Sequence, residues 1–182
     1  DEFRMGFGKT IDVRVENEVV SIRDYGRGIP LNSVVKAVSI MNTGGKFDSQ
    51  VFKKSVGLNG VGTKAVNALS LSFTVESFRD GKSKRAEFEK GILIKEEDLT
   101  PEKAENGTLI RFIPDKTLFS NFVYKQEYIE TMLRNYSYLN TGLVIHFNGT
   151  KISSKNGLID LLNENMTSEP LYPIVHLKAD DI

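Results

Sequence analysis

Asp24-Tyr25-Gly26-Arg27-Gly28-Ile29-Pro30 closes an alternating run, and Gly57-Leu58-Asn59-Gly60-Val61-Gly62 opens a helical one. Between them they decide the fold. Seven of the chain's 15 glycines (Gly26, Gly28, Gly44, Gly45, Gly57, Gly60 and Gly62) fall between Asp24 and Gly62. Glycine is entropically costly, so this density implies positive φ or close approach of a ligand to the backbone. Val19-Val20-Ser21-Ile22-Arg23 alternates as a strand does. The run from Val61 to Leu69 reads as a helix, and a glycine loop feeding a helix N-terminus presents free N–H groups and a favourable dipole to an anion. A carboxylate at a strand end, a glycine turn and a glycine-rich helix start together point to a nucleotide pocket.

Working outward, Asp1 to Gly8 reads as the tail of a helix stopped by Gly6 or Gly8, and a tail with no visible start suggests a truncated chain. Ile11 to Val15 and Glu18 to Arg23 form a hairpin around Asn17. Leu31 to Met41 carries a helical stripe, capped by Asn32 or Ser33. Asn42 to Asn59 has no periodicity, and a loop of that length inside a domain is usually functional, often a lid. Without nucleotide this lid is expected to be mobile. Ser72 to Arg79 and Ser83 to Lys90 flank Asp80-Gly81, a hairpin signal. Glu96 to Asn106 reads as an acidic surface excursion and Gly107 to Pro114 as a strand. Lys125 to Leu139 is a helix, Leu143 to Phe147 a strand, Asn148-Gly149 a turn, Leu158 to Asn163 a short helix and Tyr172 to Leu177 a last strand. Hairpins interrupted by helices give an α+β fold: one mixed sheet with helices on one face.

The 182 residues suit a single domain with a sizeable core. Lys and Arg together number 24, as do Asp and Glu, so no net charge marks a dedicated nucleic-acid surface. The chain has no cysteine, which excludes disulfides and thiolate metal sites. Its two histidines, His146 and His176, sit in apolar strand-like runs and read as core or edge residues, so no metal site is expected of the side chains. No apolar run reaches membrane length and no signal peptide is visible, so a cytoplasmic protein is expected.

Familiar nucleotide signatures fail. Gly57 to Gly62 has the order Gly-x-x-Gly-x-Gly, the reverse of the dinucleotide fingerprint, and Gly45-Lys46 is followed by Phe47 where a P-loop needs Ser or Thr. Asp24 alone is an ordinary turn former, and Arg27, Lys46, Lys53 and Lys54 alone are surface charges.

Taken together, Asp24-x-Gly26-x-Gly28-Ile29-Pro30, Gly44-Gly45-Lys46-Phe47-Asp48, the block from Gly57 to Ser70 and Gly107-Thr108-x-Ile110-Arg111-Phe112 resemble the GHKL ATPases. Within them the pattern is that of the ATPase domains of bacterial type IIA topoisomerase B subunits, those of DNA gyrase and topoisomerase IV, and it covers nearly the whole chain. The resemblance implies a Bergerat two-layer sandwich, with 1–182 as one ATPase domain truncated at its N-terminus and lacking the transducer domain that comes next.

It also implies roles. The carboxylate of Asp24 would bind the adenine amino group, helped by a water on Thr108. Arg27, Gly28, Ile29 and Pro30 would wall the nucleoside pocket, with Glu2 paired to Arg27. Gly57, Leu58, Asn59, Gly60, Val61 and Gly62 would cradle the phosphates, Lys46 would lie on the lid, and Arg79 at the pocket mouth. The family's catalytic glutamate and magnesium-binding asparagine would lie upstream of Asp1. Asn59 and Phe52 stand where many gyrases have histidine and tyrosine, and Leu31 to Thr43 is shorter than in many of them. Implied ligands are ATP and magnesium. Implied partners are the topoisomerase A subunit, DNA and a second copy that dimerises on ATP binding, with no membrane. An ATP-binding module without turnover, or another GHKL branch (chaperone, mismatch-repair ATPase or histidine kinase), stands as the alternative, and gyrase is not separable from topoisomerase IV on these residues.

Overall fold

A computed structural model describes residues 2–41, 60–101, 103–175 and 177. Among these residues, eight strands form one sheet in the order β5-β4-β3-β6-β2-β1-β7-β8. The strands are β1 (Thr10–Glu16), β2 (Val19–Asp24), β3 (Ser70–Arg79), β4 (Lys82–Glu89), β5 (Ile92–Leu99), β6 (Gly107–Pro114), β7 (Val144–Phe147) and β8 (Thr150–Ile152). All neighbours pair antiparallel except β1 with β7, so the sheet is mixed. Helices α1 (Val34–Ser39), α2 (Gly62–Ala68), α3 (Gln126–Leu139) and α4 (Leu158–Asn165) interrupt the strands.

Alternation places one set of side chains under the helices. Phe73, Val75, Ala86 and Phe88 of β3 and β4 pack with Val34 and Val38 of α1, and all six are buried. A second cluster, Val13, Leu143, Ile145, Phe147 and Ile152, packs with Ile129 and Leu133 of α3. The turns obey local chemistry: Asn17 has φ 55°, Asp80 and Gly81 have φ 53° and 75°, and Gly6 caps the first turn of 3₁₀ helix at φ 87°.

Four expectations need correction. The acidic stretch read as a surface excursion is partly strand: Glu96, Glu97 and Asp98 lie in β5, the edge strand, where charge is tolerated because one edge meets water. Asn148-Gly149 is followed by a further short strand, β8. The described residues of 172–177 adopt no strand. The helical stripe at Leu31 to Met41 is also shorter than its periodicity predicts. A 3₁₀ turn over Leu31–Ser33 precedes α1, and neither Asn32 nor Ser33 makes a side-chain cap. The lid reading of 42–59 lies outside the described residues.

Candidate functional site

β2 runs through the middle of the sheet and ends at Asp24. The register sets Ile11 opposite Asp24, Arg23 opposite Leu109 and Thr108 opposite Ser77. One further step along the β2–β6 register puts Thr108 beside Asp24. Ser77, Thr108, Asp24 and Ile11 therefore form a cross-strand row on the helix-covered face.

Asp24 and Thr108, neighbours in this row, keep hydrogen-bonding capacity that the described residues do not use. Asp24 Oδ1 accepts the N–H of Gly26 at 2.9 Å, an Asx turn that begins the loop. Among the described residues nothing donates to Asp24 Oδ2 or bonds the Thr108 hydroxyl, although Thr108 is only 9% exposed. A half-used carboxylate next to a free hydroxyl on a strand end is poised for a ligand that donates a hydrogen bond.

The loop after Asp24 is fixed by five hydrogen bonds. Ser77 Oγ donates to the Ile29 carbonyl at 2.7 Å and Arg79 donates to the Gly28 carbonyl at 3.1 Å. Arg27 donates from its backbone N–H and its Nε to Glu2 Oε2, both at 3.0 Å, and from a terminal nitrogen to Oε1 at 2.9 Å. These bonds from Arg27 hold the Glu2 carboxyl below its ordinary pKa, and the pairing raises that of Arg27. Arg27 also lies over the Phe7 ring, 4.3 Å from its centroid.

The glycines play different parts. Gly28 has φ 76°, and a Cβ there would run into the Phe78 carbonyl and reach 3.0 Å from the Gly107 carbonyl and Ser77 Oγ. It is glycine because the loop presses against β3 and β6. Gly62, at the start of α2, has no left-handed φ, and a Cβ there would meet no atom of the described residues within 4 Å. No described neighbour requires that glycine.

A cleft of about 660 Å³ opens beside this loop, with Glu2, Asp24, Gly26, Ile29 and the α2 residue Thr63 in its lining. The structure thus gathers Glu2, Asp24, Arg27, Gly28, Ile29, Pro30, Arg79 and Thr108 around one loop, while Gly60, Val61 and Gly62 lead into the helix that carries Thr63. Lys46, Gly57, Leu58 and Asn59 lie outside the described residues. Ile11, Thr63 and Ser77 escaped the sequence reading. Ser77 and Ile11 are legible only from strand register, and Thr63 only as the residue after Gly62. His146 lies half-exposed on β7, one strand in from the sheet edge. Among the described residues no three His, Cys, Asp or Glu side chains converge as metal ligands would.

No family model matches the chain. The B subunit of DNA topoisomerase 4 from Borreliella burgdorferi is 47% identical over 180 residues, which is 98% of this chain and 30% of that protein. The B subunit of DNA gyrase from Helicobacter pylori is 34% identical over 199 residues, 100% of this chain and 26% of that protein. The chain therefore spans less than a third of the length of these curated relatives. Among solved structures, the 43K ATPase domain of Thermus thermophilus gyrase B in complex with an aminocoumarin superposes with a TM-score of 0.74 at 26% identity, covering 95% of this chain and 48% of that one.

Proposed function

From the premise that this chain belongs with the ATPase domains of the bacterial type IIA topoisomerase B subunits, we propose that it binds ATP, with adenine selected by Asp24. The observation that carries this reading is the Asp24 oxygen that no described residue bonds, beside the Thr108 hydroxyl that none bonds either. The exocyclic amino group of adenine donates to that oxygen, and Thr108 holds a water that bridges to the base. Arg27, Gly28, Ile29 and Pro30 form one wall, and Glu2 fixes Arg27 in it. Arg79, tied to the Gly28 carbonyl, stands at the mouth. Gly57, Leu58, Asn59, Gly60, Val61 and Gly62 cradle the phosphates, and Lys46 comes over them from the lid.

In this reading 1–182 is a single GHKL ATPase domain of a cytoplasmic protein. None of its described helices is long and apolar enough to cross a membrane. Within the whole protein, ATP binding dimerises two such domains and hydrolysis resets them while DNA strands pass, in concert with an A subunit. Magnesium, when bound, neutralises phosphate charge. Among the described residues no three His, Cys, Asp or Glu side chains converge to hold it.

Titrating ADP and GDP calorimetrically into the chain tests the reading. Guanine carries a carbonyl where adenine carries its amino group, so it sets acceptor against acceptor at Asp24. ADP should bind at least about tenfold tighter, on the order of 1.4 kcal/mol. Asp24→Asn, which offers both a donor and an acceptor, should narrow the gap. Equal affinities in the wild type would leave Asp24 as an ordinary turn residue.

A further inference from the structure

The back of the Asp24 loop, on the face of the sheet away from the cleft, carries a set of side chains that nucleotide contact leaves unused. The register aligns Arg23, Asp12 and His146 in one row across β2, β1 and β7. Tyr25 folds back over this row, and its hydroxyl donates to Asp12 Oδ2 at 2.7 Å. His146 Nδ1 lies 2.7 Å from the other oxygen of the same carboxylate. The Arg23 guanidinium stacks between two rings, 4.8 Å from the centroid of Tyr25 and 4.5 Å from that of Phe78. It also donates to the carbonyls of Asp24 and Glu105, each at 2.6 Å. Gly107 lies against the same Asp24 carbonyl so closely that a Cβ would collide with it.

Asp24 is the last paired residue of β2, so the ladder no longer fixes the backbone beyond it. Orientation of its carboxylate then depends on the peptide joining Asp24 to Tyr25. Arg23 holds that peptide by its carbonyl, and Asp12 holds it through the Tyr25 ring. The charge states agree with a made network. Burial pushes the Asp12 carboxyl upward, but the bonds from Tyr25 and His146 outweigh it and hold the group below its ordinary pKa. The Tyr25 hydroxyl is raised, first by its bond to Asp12 and then by burial.

We propose that Tyr25 is a positioning residue for adenine recognition: its bond to Asp12, braced by His146 and Arg23, pre-orients the Asp24 carboxylate toward the base. The inference rests on the reading of Asp24 given above. Pre-organisation makes a prediction that mere folding support does not. A loosened loop must be ordered when Asp24 engages adenine, but not when a base that makes no use of Asp24 binds.

The test is calorimetric titration of ADP and GDP into wild type, Tyr25→Phe, Asp12→Ala, their double, and Tyr25→Phe combined with Asp24→Asn, with urea midpoints confirming that each is folded. The net worth of a typical hydrogen bond predicts that Tyr25→Phe weakens ADP by about three- to tenfold and leaves GDP unchanged. Asp12→Ala should do the same, the double should match either single, and Tyr25→Phe should cost nothing further in the Asp24→Asn background. A parallel loss of ADP and GDP affinity, additivity with Asp24→Asn, or no change would each overturn the proposal. A wild type with no preference for ADP would overturn the Asp24 reading and this inference with it. A preference that survives Tyr25→Phe intact removes only the inference.

Discussion

Replacing Gly62 by alanine should make the chain more stable and a poorer nucleotide binder. Gly62 begins α2, has no left-handed φ, and leaves its would-be Cβ position clear of every atom of the described residues within 4 Å. Alanine there removes glycine's excess backbone freedom from the unfolded chain without strain, a gain of about 0.5–1 kcal/mol. If phosphates approach this backbone, the added methyl occupies their place. Displacing a phosphate oxygen from a backbone N–H sacrifices part of a charge-assisted bond, so ADP affinity should fall by about tenfold, roughly 1.4 kcal/mol. Adenosine has no phosphate and should bind Gly62→Ala as it binds the wild type. Urea denaturation without nucleotide gives the first quantity, and calorimetry with ADP and adenosine gives the second. Unchanged ADP binding, or an equal loss for ADP and adenosine, would refute phosphate approach at Gly62. A fall in stability would refute the backbone argument itself.

Gly28→Ala should behave oppositely: with φ 76° and a Cβ driven into the Phe78 carbonyl, it should lower stability by about 2–4 kcal/mol in urea denaturation, and an unaltered midpoint would show the loop to be loosely seated. Phe73, fully buried and edge-on to Phe88 with centroids 6.0 Å apart, should cost about 3–5 kcal/mol as Phe73→Ala, measured the same way. Asp160 accepts bonds from the Ser154 hydroxyl, the Asn156 backbone and side chain, and the Lys155 backbone, which lower its pKa from 3.8 to about 2. Because the folded value is the depressed one, its contribution is full above the unfolded pKa and is lost as pH falls from 3.8 toward 2. Urea midpoints over that range should drop more steeply for wild type than for Asp160→Asn, and parallel curves would contradict the assignment.

The fold was legible where local chemistry and packing agree. Val19 to Asp24 alternates, Asp80-Gly81 is a hairpin turn by its own conformational preferences, and α3 shows its apolar face at Ile129 and Leu133. It was illegible where tertiary position overrides composition. Glu96, Glu97 and Asp98 have poor strand propensity, yet the β4–β5 pairing supplies the ladder and solvent on one edge accepts their charge. The reverse holds at Tyr172 to Val175, where strand-forming residues find no partner strand and propensity alone makes no sheet.

The candidate site divides along the same line. Asp24, Arg27 and the glycines were visible because a loop's chemistry is written in consecutive residues. Their division of labour was not. Gly28 and Gly62 look alike in sequence, but one is required by neighbouring β-strand backbone and the other meets none of the described residues, a difference that only the third dimension creates. Ser77 and Ile29 are 48 positions apart, and Asp12 and His146 are 134 apart, so no spacing rule connects them. They meet because β2 sits between β6 and β1, and β1 in turn pairs parallel with β7. That placement has a functional consequence. The residue proposed to read the base stands at the end of a central strand, so its neighbours on both sides and its backing on the far face are all set by sheet register. A slip of one residue between β1 and β2 would turn Asp24 away from the cleft and separate Tyr25 from Asp12 at once. Recognition at Asp24 and the network behind it are therefore fixed by one structural feature, the register of β2, and should be lost together in any variant that shifts it.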